Sequence, residues 1–156
     1  MLKMRTLKNY EVNMIFIIAM MLILLIAGIY DIKNKAISVP ILIAAGITAL
    51  ICGICQFYYG LPIYSEICSL FPGAVVLALA YLTKEQIGYG DGLIILFLGP
   101  VFGLFNVIVG LCAALMISAL LSAGLMIFKK AGKKEKLPFL PFLTAGMGAV
   151  CALCCI

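Results

Sequence analysis

Two aspartates stand out in a chain that offers few other groups for chemistry. Asp31 lies in Tyr30-Asp31-Ile32-Lys33-Asn34-Lys35, and Asp91 lies in Gly88-Tyr89-Gly90-Asp91-Gly92. Each stands at the end of a long apolar run, so a fold that brings those two ends to one depth pairs the carboxylates. Two carboxylates a few ångströms apart do not both ionise easily; they share a proton and titrate as a unit. One can then activate a water as general base while the other gives a proton to a scissile carbonyl or a leaving amine. Such chemistry calls for no metal and no cofactor. The helix dipoles assign the acid to Asp31, at a partly negative C-terminal end, and the base to Asp91, at a partly positive N-terminal end. Gly88, Gly90 and Gly92 alternate around Asp91 and allow positive φ or the close approach of another chain, as an extended peptide in a groove would need.

Simpler roles exist for both residues. Asp31 can be a helix-end residue balanced by Lys33 and Lys35, and Asp91 can be an N-cap, a position that favours Asp. The remaining stock is thin. His is absent, which excludes His-dependent triads and His-ligated metals. Seven cysteines include Cys52-Gly-Ile-Cys55 and Cys151-Ala-Leu-Cys154, with Cys68, Cys112 and Cys155 besides. Both pairs lie in apolar runs without companions that would activate a thiol, so they read as buried free thiols. Glu66 reads as a solvated residue of an outer loop and Glu85 as an interfacial partner of Lys84. Pro100 is expected to kink or end its helix, and Tyr89 is a weak candidate for lining a groove.

The elements that must position the aspartates follow from composition. Of 156 residues, 66% are hydrophobic and 11% charged, against about 45–50% and about 25% in soluble domains; the mean hydropathy is +1.28. A soluble globular protein is excluded. Apolar runs cover residues 12–30, 37–59, 67–82, 93–128 and 137–156. The fourth is too long for one crossing, and Gly99-Pro100, Gly103 and Asn106 offer a turn, so it divides into roughly 93–104 and 106–128. The expectation is an all-α, polytopic membrane protein with six transmembrane helices, a single membrane-embedded domain over residues 1–156. The run at 12–30 is too long for a cleavable signal and reads as a retained span. Lys33, Lys35, Lys84, Lys129, Lys130, Lys133, Lys134 and Lys136 fall on one side, against Lys3, Arg5 and Lys8 on the other. The positive-inside rule therefore places both aspartates at the cytoplasmic face and both termini outside. The net charge of +5 is explained by these loops, with the Lys129–Lys136 segment held at anionic lipid headgroups, and no nucleic-acid partner is expected.

With these residues on the page, the chain resembles a known family. Gly88-Tyr89-Gly90-Asp91 looks like the GxGD signature of intramembrane-type aspartyl proteases. Asp31 with its basic neighbours looks like the first catalytic aspartate of the prepilin and preflagellin (type IV leader) peptidases. Leu137-Pro138-Phe139-Leu140-Pro141-Phe142 is similar to the Pro-Phe-x-Pro-Phe segment that opens the last helix of that family. The resemblance implies a membrane aspartyl endopeptidase with Asp31 and Asp91 as the catalytic pair. Its implied substrates are type IV pilin-like or archaellin-like precursors, cut free of their basic leaders at the cytoplasmic face. This sequence departs from the family pattern in having Ile37-Ser38-Val39-Pro40 where Ile-Pro-Asn is common, and Leu93-Ile94 where a Lys often follows the second aspartate. Larger members carry a paired-CxxC insertion between the first two helices and also methylate the product; here Ile37 stands only six positions after Asp31, so no methyltransferase activity is expected. Leader recognition would fall to the few acidic residues on that side, Asp31, Glu85, Asp91 and Glu135, and to apolar packing of the substrate helix.

Two readings from other classes remain beside the peptidase. A small cation- or proton-coupled transporter would use the aspartates at a helix break, although two charges at one end do not make a midplane site. A non-enzymatic subunit of a pilus or secretion assembly would use them as caps and tolerate their loss.

Overall fold

The computed structural model describes residues 2–34, 37–58, 63–83, 88–127 and 139–154. Among them the chain is all α, with seven helices and no strand: α1 (Leu2–Asn34), α2 (Val39–Tyr58), α3 (Ile63–Ser69), α4 (Phe71–Leu82), α5 (Tyr89–Phe102), α6 (Leu104–Ile127) and α7 (Leu140–Cys154). Three segments are long and apolar enough to cross a membrane: Asn13–Asn34, Val39–Tyr58 and Leu104–Gly124. Shorter apolar helices occupy Glu66–Leu82, Tyr89–Phe102 and Leu140–Leu153.

Six of the seven helices fall on the six apolar segments of the sequence, and the differences have local causes. α1 runs on through Asp31 to Asn34, so the aspartate sits in the final turn and does not follow the helix. The run expected at 67–82 is preceded by the extra helix α3 and broken at Leu70, because Pro72 at the start of α4 has no N–H to carry the ladder through. α5 begins at Tyr89 and takes the whole Tyr89-Gly90-Asp91-Gly92 stretch into its first turn. It ends at Gly103, whose φ of 79° lets the chain reverse into α6 while its N–H donates to Gly99 O at 2.8 Å. Lys35, Lys84, Glu85, the Lys129–Lys136 segment with Glu135, Leu137, Pro138 and Cys155 lie outside the described residues.

The core lies where α1, α5 and α7 meet, with Met20, Leu24, Ile94, Ile95, Leu98, Leu140, Leu143 and Met147 fully buried. Around it the periphery is apolar too: Ile18, Ile54, Phe105, Met116 and Leu120 are all exposed. A helix bundle that is hydrophobic on both faces matches a lipid surround, not water.

Small residues let the helices close up. A Cβ at Gly73 of α4 would run into the Leu96 backbone of α5, and one at Gly146 of α7 into Gly110 O and Ala114 N of α6. Such backbone contacts are the usual means of packing helices in lipid, where apolar burial alone gives no preference for protein over hydrocarbon. Thr144 adds a polar tie, its hydroxyl within reach of Leu140 O at 2.8 Å and of Leu24 O on α1 at 3.2 Å.

Candidate active site

Asp31 is carried by the last turn of α1 and Asp91 by the first turn of α5, and these helices pack against each other. The fold thus brings two residues sixty positions apart to the same end of the bundle, close enough that the charge on Asp31 acts on Asp91. Asp31 is 7% exposed and Asp91 is half-buried. A carboxylate held this far from water needs compensation.

For Asp31 the compensation comes from α7. The backbone N–H of Leu140, at the helix start, donates to Asp31 Oδ2 at 3.4 Å. This N–H is one of the first four of a helix and has no intrahelical acceptor, so a carboxylate is a natural partner for it. Lys33 is exposed, and residues two apart on a helix do not face one another. Lys33 is thus no partner for Asp31, and Lys35, the other residue read as balancing it, lies outside the described residues.

For Asp91 the capping role also fails. The N-cap of α5 is Gly88, in an extended conformation with φ −61° and ψ 127°, and no side chain caps the helix. Asp91 is the third residue inside, with the positive end of α5 behind it. The dipole assignment expected from sequence changes as well. Asp31 ends α1 but faces the N-terminus of α7, so both carboxylates meet a partly positive helix end and the asymmetry is offset.

The three glycines each leave room for something specific. A Cβ at Gly88 would stand 3.3 Å from Asp91 Oδ2, so the absence of a side chain keeps that carboxylate uncrowded. Gly90 is covered by Ile37, just before α2, and Gly92 by Leu77 of α4, whose Cδ2 lies 2.9 Å from where a Cβ would be. Gly103 alone among the described glycines has a positive φ. Gly90 and Gly92 therefore act by close approach of the chain's own side chains. Tyr89 stands partly exposed at the rim.

Several functional features were not visible beforehand. The Leu140 amide as a partner of Asp31 joins residues 109 positions apart, although the Pro-Phe segment marked that helix start. An apolar cavity of about 360 Å³ lies between α1 and α7, lined by Leu25, Gly28, Ile32, Pro141, Thr144 and Gly148. Glu66 is not a solvated loop residue: it belongs to α3, and its Oε2 is buried. Of the described cysteines, Cys52 is buried, Cys55 and Cys151 are half-buried, and Cys68 and Cys112 lie on the periphery; none of the five is in a disulfide. Compared with known proteins, the chain matches no family model, no curated protein and no solved structure.

Proposed function

We propose that this chain is a membrane aspartyl endopeptidase that removes the basic leader from type IV pilin-like or archaellin-like precursors. The observation that carries the proposal is the pairing of Asp31 and Asp91 at one end of the bundle, from helices remote in sequence. The six apolar helical segments act as six spans, with the aspartates and the lysine-rich loops at the cytoplasmic face and both termini outside. The whole chain acts as one peptidase unit.

The chemistry needs only the pair and a water. The ionised member takes a proton from water as the water oxygen bonds to the scissile carbonyl carbon, and the protonated member gives its proton to the carbonyl oxygen. As the tetrahedral intermediate collapses the C–N bond breaks: the protonated member gives its proton to the departing amine, and a hydroxyl of the intermediate returns its proton to the other carboxylate, which restores the singly protonated pair. The roles belong to the dyad as a unit. The α1–α7 cavity, lined by glycine, threonine and apolar side chains, suits the apolar segment that would follow a leader.

The test is co-expression with a pilin-like precursor in membranes, reading the precursor's size for the wild type, Asp31→Asn and Asp91→Asn. Clipping by the wild type alone supports the peptidase. Clipping that survives either substitution in an equally expressed variant overturns the dyad. Ion flux that depends on both aspartates, with no precursor ever clipped, would favour a transporter. Orientation is checked separately: a cysteine at Lys33 is expected to react with an impermeant thiol reagent only after cells are opened.

A further inference from the structure

At the other end of the bundle lies an acidic group that the peptidase chemistry does not use. The helical rise puts Asn13 about 27 Å from Asp31 along α1 and Gly103 about 18 Å from Asp91 along α5. Between those far ends, Glu66 turns its carboxylate inward from α3. Its Oε2 is buried with no hydrogen-bond partner among the described residues, and it lies 4.0 Å from where a Cβ would stand on Gly53 of α2. A buried, unpaired acceptor of this kind is rare in proteins and calls for a donor.

Two polar neighbours, Gln56 and Ser69, are committed elsewhere. Gln56 Nε2 donates to Pro100 O at 2.7 Å and reaches Cys52 Sγ at 3.2 Å. Pro100 O is one of the orphan carbonyls at the end of α5, so the Gln56 amide is the group that satisfies it. The Ser69 hydroxyl donates to the backbone oxygen of Glu66 at 2.7 Å, not to the carboxylate.

Two cavities meet at this carboxylate, both with Glu66 and Pro100 in their walls. One, of about 360 Å³, has the polar side chains of Asn13, Gln56 and Ser69 among its walls. The other, of about 580 Å³, is apolar and runs along α2 and α5 past Ala49, Leu50, Ile54, Leu96 and Phe97. Leu50 and Ile54 are 67% and 68% exposed, so this groove lies on the outer, lipid-facing side of the bundle. An apolar groove that ends at a carboxylate whose Oε2 has no partner among the described residues is complementary to an amphiphile with a hydrocarbon chain and a cationic, hydrogen-bond-donating head. In a bilayer, that description fits an aminophospholipid.

We propose that Glu66 and its two joined cavities bind a phosphatidylethanolamine-class lipid, with the primary ammonium on the Glu66 carboxylate and one acyl chain in the α2–α5 groove. A bare cation would leave the apolar groove unexplained, and a choline head carries charge without N–H donors. The proposal rests on the bilayer setting of the helices and is independent of the peptidase reading.

Native mass spectrometry of the purified full chain tests it, with phosphatidylethanolamine, phosphatidylcholine and phosphatidylglycerol of matched acyl chains supplied in turn. The wild type is expected to hold phosphatidylethanolamine at least about tenfold more tightly than either of the others. Glu66→Gln should remove that preference. Leu50→Trp, at an exposed position that fills the groove without entering the core, should weaken binding of the same lipid even where Glu66→Gln does not fold. Equal binding of the three lipids by the wild type, an undiminished preference in folded Glu66→Gln, or unchanged binding in Leu50→Trp would each overturn the assignment. So would a Glu66-dependent sodium adduct in place of lipid.

Discussion

The backbone N–H of Leu140 donates to Asp31 Oδ2, tying the end of α1 to the start of α7 across 109 residues of sequence. The contact fixes where one carboxylate of the pair stands, and it does so with a donor that no side-chain mutation removes. It also places a helix N-terminus beside each aspartate, α7 at Asp31 and α5 at Asp91, so positive helix ends surround a site that would otherwise collect negative charge.

Asparagine at either aspartate keeps the side-chain shape and, at position 31, an oxygen for the Leu140 N–H. Asp31→Asn and Asp91→Asn are therefore expected to fold and to lose at least about 10²-fold in precursor cleavage. The double variant should be no slower than the singles, because residues that act as one unit are not additive. Initial rates of clipping in membranes check this.

Cleavage should rise and fall with pH. Below both macroscopic ionisations of the dyad no base is present, and above both no acid remains, so the rate peaks between them. Activity that climbs to a plateau at high pH with no falling limb would mean that only one carboxylate takes part.

Gly90 and Ile37 should behave as a coupled pair. A methyl group at Gly90 meets the Ile37 side chain, so Gly90→Ala displaces the segment before α2 from the first turn of α5 and lowers activity. Ile37→Ala vacates that space, and Gly90→Ala with Ile37→Ala should recover part of the loss. A double-mutant cycle on thermal stability in detergent is expected to give a coupling of about 0.5–3 kcal/mol.

Two alanine substitutions should move stability in opposite directions. Gly146→Ala drives a methyl into the α6 backbone at Gly110 and Ala114 and is expected to cost about 1–3 kcal/mol. Gly124→Ala, in open space within α6, is expected to gain roughly 0.5–1 kcal/mol from lower chain entropy and better helix propensity. The pair of melting temperatures is the measurement.

The helices were legible because apolar runs bounded by charge leave few alternatives, and the Gly103 turn was legible because glycine stands where the run is too long. The neighbourhood of Asp31 and Asp91 was legible as soon as helix ends were counted by side. What could not be read was anything carried by backbone groups or long-range packing. The Leu140 amide has no side-chain signature, and the role of Gly90 depends on Ile37 arriving from before another helix. Glu66 misled for a physical reason: a lone charge near Pro62 and Gly60 suggests solvent, whereas α3 turns it under the bundle against Gly53.

The shortness of α5 bears on how water arrives. Its fourteen residues extend about 21 Å, against a hydrocarbon layer of about 30 Å. If α5 crosses the bilayer as proposed, the membrane beside so short a helix thins and its headgroups dip toward the helix ends. Asp91 would then meet the wet boundary of the membrane without a channel through the bundle, and a polar peptide bond would reach it without crossing oil. On the peptidase reading, hydrophobic mismatch would help supply the reaction, and cleavage should slow as the acyl chains of the surrounding lipid are lengthened.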